Sequence, residues 1–172
     1  MEAAPLLCAG LIGWCALRFA GDARKIVLYG FGGTAHILAQ VALWQGREVS
    51  PFTRDGDFAG QAFARQLGCI WAGGSSDAAP VPLDAALIFA PVGALVLVAF
   101  QAVDKGGTVA CAGIHMSDIS AFPYATLWGE RRIVSVANLT CDDGTSFLEA
   151  ADRSGLKPSV RLYPLDQAND AL

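Results

Sequence analysis

Three small residues at fixed spacing open the chemical reading. Gly30, Gly32 and Ala35 stand in "YGFGGTAHIL" as G-x-G-x-x-A, with Gly33 as an additional glycine and Thr34 between. Gly30 permits a tight turn out of a strand. Gly32 lets backbone approach a pyrophosphate with no Cβ in the way, and Ala35 keeps the following helix close to the sheet. The amides of Gly33 and Thr34 fall at the start of that helix, where unpaired N–H groups and the positive end of the helix dipole favour an anion. The pattern has weight only between a strand and a helix, near the start of a βαβ unit. It has that setting here: "KIVLY" precedes it and a run with apolar residues at helical spacing follows. The chemistry implied is dinucleotide binding, as against a glycine-rich turn with no ligand.

The end of the second strand separates the two nicotinamide cofactors. NAD sites place Asp or Glu there, about 20 residues past the turn, for the ribose 2′-OH. This chain reads "SPFTRDGD", so Thr53 and Arg54 take the place and Asp55 and Asp57 come later. A hydroxyl and a planar multi-donor cation suit a 2′-phosphate. The expected cofactor is NADP or NAD, with NADP favoured.

The elements that must position these residues alternate along the chain. "KIVLY" (25–29), "EVSPF" (48–52), "CIWA" (69–72), "LDAALIFA" (83–90), "GGTVACAG" (106–113) and "RRIVSVAN" (131–138) read as six strands. Pro51 is awkward inside the second. Helical runs lie between them, three of them closed by Gly46, Gly68 and Gly155. Glycine is the usual residue just past a helix end. Continuous apolar strands separated by helix-length connectors predict a Rossmann-type doubly wound α/β fold, a six-stranded parallel sheet with helices on both faces. The expected division is a leading helix and linker over 1–24, a dinucleotide-binding domain over 25–155 and a C-terminal segment over 156–172.

Composition excludes several function classes. The 172 residues are 53% hydrophobic and 16% charged with 19 glycines, which suits a buried sheet and leaves too little charge for disorder. The net charge of -4 lacks the basic clusters that nucleic-acid binding requires. The apolar stretch "AAPLLCAGLIGWCAL" has no basic flank and is shorter than a bilayer span needs, so it reads as a buried helix starting near Pro5 and not as a membrane segment. Cys8, Cys15, Cys69, Cys111 and Cys141 are scattered without a CxxC pair, as in reduced thiols of a cytoplasmic protein.

Five stretches then carry a resemblance. "APLLCAGLIGW", "GFGGTAHILAQVA", "ARQLG", "KGGTVACAGI" and "PLDQANDAL", in this order and spacing, are similar to the coenzyme domain of zinc-dependent alcohol dehydrogenases, in the medium-chain dehydrogenase/reductase superfamily. The resemblance covers essentially the whole chain. It implies hydride transfer between an alcohol or aldehyde and a nicotinamide. It makes Cys8, in "LLCAG", a ligand of a catalytic zinc, whose other ligands the family draws from an N-terminal catalytic domain. His36 and His115 match none of them. Pro91 and Val92, after the fourth strand at the carboxyl edge of the sheet, are expected to contact the cofactor, and the resemblance implies that backbone at Ala112 and Ile114 holds the carboxamide. It implies a homodimer formed edge to edge through Ile119–Arg132.

On this reading the chain is a coenzyme domain without its catalytic half, its last residues leading back toward that half. It is inactive alone and able to dock a separate catalytic chain. Two departures stand out. Ile12 replaces a threonine common near the nicotinamide, and Cys141 stands roughly where relatives carry an arginine toward the cofactor. The competing readings are a zinc-free quinone reductase of the same superfamily, against which Cys8 argues, a methyltransferase, and a non-catalytic nucleotide-binding or dimerising remnant.

Overall fold

The computed structural model describes residues 3–171. Residues 1, 2 and 172, at the outer ends of the first and last expected segments, lie outside the described residues. A 3-10 turn at Ala4–Leu7, carrying Pro5, leads into helix α1 (Ala9–Phe19). There follow β1 (Lys25–Tyr29), α2 (Gly33–Trp44), β2 (Glu48–Thr53), α3 (Phe58–Gln66), β3 (Gly73–Gly74) and β4 (Leu83–Ile88). The chain continues through α4 (Ala94–Ala102), β5 (Val103–Cys111), the short α5 (Tyr124–Leu127), β6 (Arg132–Ser135) and α6 (Cys141–Ser154), and ends in a 3-10 stretch at Leu165–Ala171.

The six strands form one sheet in the order β3-β2-β1-β4-β5-β6. Every pairing is parallel. The strand order reverses between β1 and β4, so a crevice opens at their carboxyl ends, the place where such sheets bind ligands. Alternation along β1 shows why both faces are covered. Ile26 and Leu28 point into a core with Leu38, Ala39 and Ala42 of α2. Val27 and Tyr29 point the other way, into a core with Val96, Ala99 and Phe100 of α4. A third cluster packs Ile37 and Val41 of α2 against Phe147 of α6. Gly10 of α1 leaves room for that phenylalanine ring.

The expected fold class is the observed one, with local differences. "CIWA" is not a strand: Cys69 and Ala72 are buried in the core, and pairing begins only at Gly73. Register explains this. The carbonyls of Val49 and Thr53 accept from Ile70 and Ser75, so alternate residues of β2 face the β3 side. Pro51 falls on that side without an N–H, and the outer ladder forms only beyond it, at Phe52 and Thr53. Helix α6 begins at Cys141. Thr140 and Asp143 close a reciprocal capping box there, and Gly155 ends the helix in the left-handed region with φ 64°.

Candidate functional site at the carboxyl edge of β1 and β4

The amides of Phe89 and Ala90 both donate to the Tyr29 carbonyl, at 2.9 and 3.2 Å, and draw the ends of β1 and β4 together. Gly30 sits at this junction with φ 88°, and a Cβ on it would lie 2.9 Å from the Ala90 nitrogen. Both the backbone angle and the space require glycine there. The chain then opens outward. Gly32 is the extended N-cap of α2 (φ -104°), and no side chain caps the helix. A Cβ on Gly32 or Gly33 would meet nothing within 4 Å. A side chain at Gly32 would therefore enter open space at an uncapped helix N-terminus, where an anion gains both hydrogen bonds and the dipole.

This turn lines a cleft of ≈ 900 Å³. Of the residues expected to bind the cofactor, Gly30, Gly32, Gly33, Thr34, Ala35, Thr53, Arg54, Pro91 and Val92 line it. Ala112 and Ile114 do not line it. The Ala112 N–H donates to Ile88 O at 2.8 Å, and Ile114 is 75% exposed on the loop beyond β5. That loop is tied to the β4 loop by two bonds, Ser117 N–H to Pro91 O at 3.3 Å and Gly93 N–H to Ser117 Oγ at 2.9 Å.

At the end of β2 the polar groups divide their work. Thr53 is buried, and its hydroxyl accepts from Gln61 Nε2 at 3.1 Å and lies 3.0 Å from the Arg54 carbonyl. It faces the protein. Asp55 accepts from the Ser76 amide at 3.1 Å. The amide and hydroxyl of Ser76, with help from Ser75, hold its carboxyl below the ordinary value. Asp57 caps α3 by accepting from the Gly60 amide at 2.9 Å. Each acid thus has one oxygen held by a backbone amide, while Arg54 is exposed and, among the described residues, has no ion-pair partner.

Sequence reasoning missed the apolar lining of the cleft, including Phe31, Phe89 and Leu95, and also Tyr29. Tyr29 is 1% exposed and stacks on Phe52 at 4.8 Å. Its hydroxyl is buried without a hydrogen-bond partner, and burial pushes the phenol up to about 12. It lines both the cleft and a second hollow of ≈ 690 Å³ that residues 75–82 also line. The only early signal was its place directly before the first glycine.

Cys8 lies exposed between the first 3-10 turn and α1. Among the described residues no three His, Cys, Asp or Glu side chains gather where they could hold a metal ion. Structural zinc takes four protein ligands and catalytic zinc about three. The described residues therefore do not compose a zinc site by themselves. Cys15 and Cys69 are buried packing residues, and burial pushes the Cys69 thiol up to about 12. Cys111 is only half-buried, and Cys141 is exposed at the start of α6. No helix of the described residues is long and apolar enough to cross a membrane.

No family model matches the chain. It is 47% identical over 174 residues to the probable alcohol dehydrogenase AdhA of Mycobacterium tuberculosis, a match covering 99% of this chain and 50% of that protein. Its fold is similar to that of acetophenone reductase from Geotrichum candidum in complex with NAD, with a TM-score of 0.85, 22% identity, and coverage of 99% of this chain and 51% of the other. It is similar also to that of a CAD from Helicobacter pylori complexed with NADP(H), with a TM-score of 0.83, 20% identity, and coverage of 99% and 50%. The chain spans about half the length of the curated relatives it matches.

Proposed function

This chain is a homologue of alcohol dehydrogenases over about half of their length, and on that premise we propose that residues 25–155 form a nicotinamide-dinucleotide-binding domain. The observation that carries this is the open Cβ position of Gly32, at an uncapped helix N-terminus inside the cleft where the strand order reverses. The residues fit the cofactor. Gly32, Gly33 and Thr34 would hold the pyrophosphate, Arg54 the far ribose, and Pro91 and Val92 the wall next to β4. When bound, the dinucleotide supplies hydride transfer to or from an alcohol or aldehyde. The protein's own part is to orient it: first-turn amides fix the phosphates, and the apolar side chains of Phe89 and Leu95 exclude water. Ala112 and Ile114 would offer backbone to the carboxamide from the neighbouring loop.

Arg54 supports NADP over NAD. A ribose 2′-OH calls for a carboxylate at the end of β2, and that place is held by Thr53 and Arg54, while Asp55 and Asp57 follow and each turn one oxygen to a backbone amide. The free cation is the group left facing the place of a 2′-phosphate. Within these residues Cys8 could contribute one ligand to a zinc shared with another domain or chain. Alcohol turnover by the 172 residues alone is expected at background level. The exposed Tyr124 and Trp128, beside an edge strand β6 that pairs only with β5, support edge-to-edge dimerisation through Ile119–Arg132. Five unpaired cysteines support a cytoplasmic location. Calorimetric titration of the chain with NADPH and NADH tests the reading. Saturable binding of either supports it, and binding of neither removes it.

A further inference from the structure

Helix α2 carries two polar side chains, one turn apart, that both reach the chain beyond α6. His36 is buried, with Nδ1 3.3 Å from the Gly32 carbonyl. Its Nε2 accepts the Ser159 N–H at 3.1 Å. A nitrogen that accepts carries no proton, so Nδ1 holds the hydrogen and donates to Gly32. One tautomer of the neutral ring satisfies both contacts. Gln40 does matching work. Its Nε2 donates to Lys157 O at 3.2 Å and its Oε1 accepts from Lys157 N–H at 3.1 Å. Positions four apart share one helix face. Together they form a short rail on which backbone 157–159 lies.

The other end of the rail is the glycine turn. The Gly32 carbonyl also accepts the His36 amide at 3.1 Å. Gly32 has no side chain of its own to set the peptide, so these two bonds orient it. Phe63 packs against the same ring at 5.9 Å and against Phe31, inside the turn, at 6.1 Å. We propose that His36 is a positioning residue coupling the glycine turn to segment 157–159. Docking of the segment orients the Gly32 peptide for an anionic ligand, and a ligand held by the turn fixes the segment in return, as linkage requires. The second half of this statement rests on the dinucleotide reading above.

The test combines hydrogen exchange with dinucleotide titration. Ser159→Pro removes the donor from an exposed segment and leaves α2 intact. His36→Phe removes both ring contacts, and His36→Gln restores an acceptor near the Nε2 position. Without ligand, Ser159→Pro should speed amide exchange in the distant turn 31–36 as well as in 156–160. NADPH affinity should fall by about fivefold, the scale of one hydrogen bond. His36→Phe should do the same, and His36→Gln should recover part of the loss. NADPH bound to the parent should slow exchange over 156–160. Unchanged exchange in the turn of Ser159→Pro would overturn the coupling, even if His36→Phe fails to fold. Faster exchange with unchanged affinity would overturn the positioning role. If the parent binds no dinucleotide, the functional reading fails, and exchange in Ser159→Pro still decides the clamp.

Discussion

Around the glycine turn, the residues that sequence spacing singles out converge on one cleft. Around the loop from Ala112 to Cys141 they disperse. In the first region Gly30, Gly32, Thr34 and Arg54 lie within one βαβ unit and all line the cleft. In the second, Ile114 does not line it, and Tyr124 and Trp128 stand 73% and 63% exposed. The contrast follows from what holds each region. The turn is bounded by buried strand and buried helix, with Ile26, Leu28, Leu38 and Ala39 all fully buried. The loop after β5 is tied to the β4 loop by two bonds and meets the core on the α4 side through the partly buried side chains of Met116, Phe122 and Leu127. A site built on rigid elements is set by local chemistry, whereas one on a loop waits for what docks against it.

The sharpest way to break the comparison is Gly32→Val. A branched side chain would extend into the space at the helix N-terminus from a Cβ that meets no protein atom within 4 Å, so dinucleotide affinity should fall at least about 100-fold, well beyond the loss of about 1 kcal/mol in stability that a valine N-cap brings. Retained affinity, measured by calorimetry, would show that the turn is not the phosphate site. Phe147→Ala tests the scaffold instead. It empties a fully buried ring site between α1, α2 and α6 and should cost about 3–5 kcal/mol in denaturant unfolding. A loss below about 1 kcal/mol would mean that α6 is not part of the support behind the turn.

Arg54→Ala should narrow the NADPH-over-NADH preference by about tenfold, or about 1.4 kcal/mol. A parent protein that prefers NADH contradicts the assignment directly. The sheet edge carries the smallest expected effect. Trp128→Glu should convert a dimer to monomer in sedimentation at micromolar concentration and leave dinucleotide affinity within about twofold. Monomer in the parent at high micromolar concentration would remove the edge-to-edge reading.

The fold was legible because burial leaves simple traces. Period-two alternation was masked in β1 by a run of apolar residues, and that run is itself the mark of a strand covered on both faces. Glycines after α2, α3 and α6 marked their ends. What escaped was nonlocal. Pro51 looked like a defect in β2, yet only the register against β3 shows that its missing N–H faces the side where the ladder is short. Thr53 lines the cleft, but its hydroxyl's partner was not visible. Its hydroxyl is held by Gln61, eight residues on, a partnership that no spacing rule announces. His36 could be read only as matching no zinc ligand, because its partner Ser159 lies 123 residues away. Of the candidate site, the glycines and Arg54 were visible from type and spacing. The apolar lining from Phe31, Phe89 and Leu95 was not, since apolar residues next to a strand look the same whether they face a core or a cleft.

Titration of the purified chain with NADPH, in parallel with its Gly32→Val variant, tests the central claim most directly. Saturable one-site binding in the parent, lost in a variant that keeps the parent's circular dichroism and remains folded at the titration temperature, is the result this account predicts. No binding in the parent with either NADPH or NADH, or equal binding in the two proteins, would contradict it.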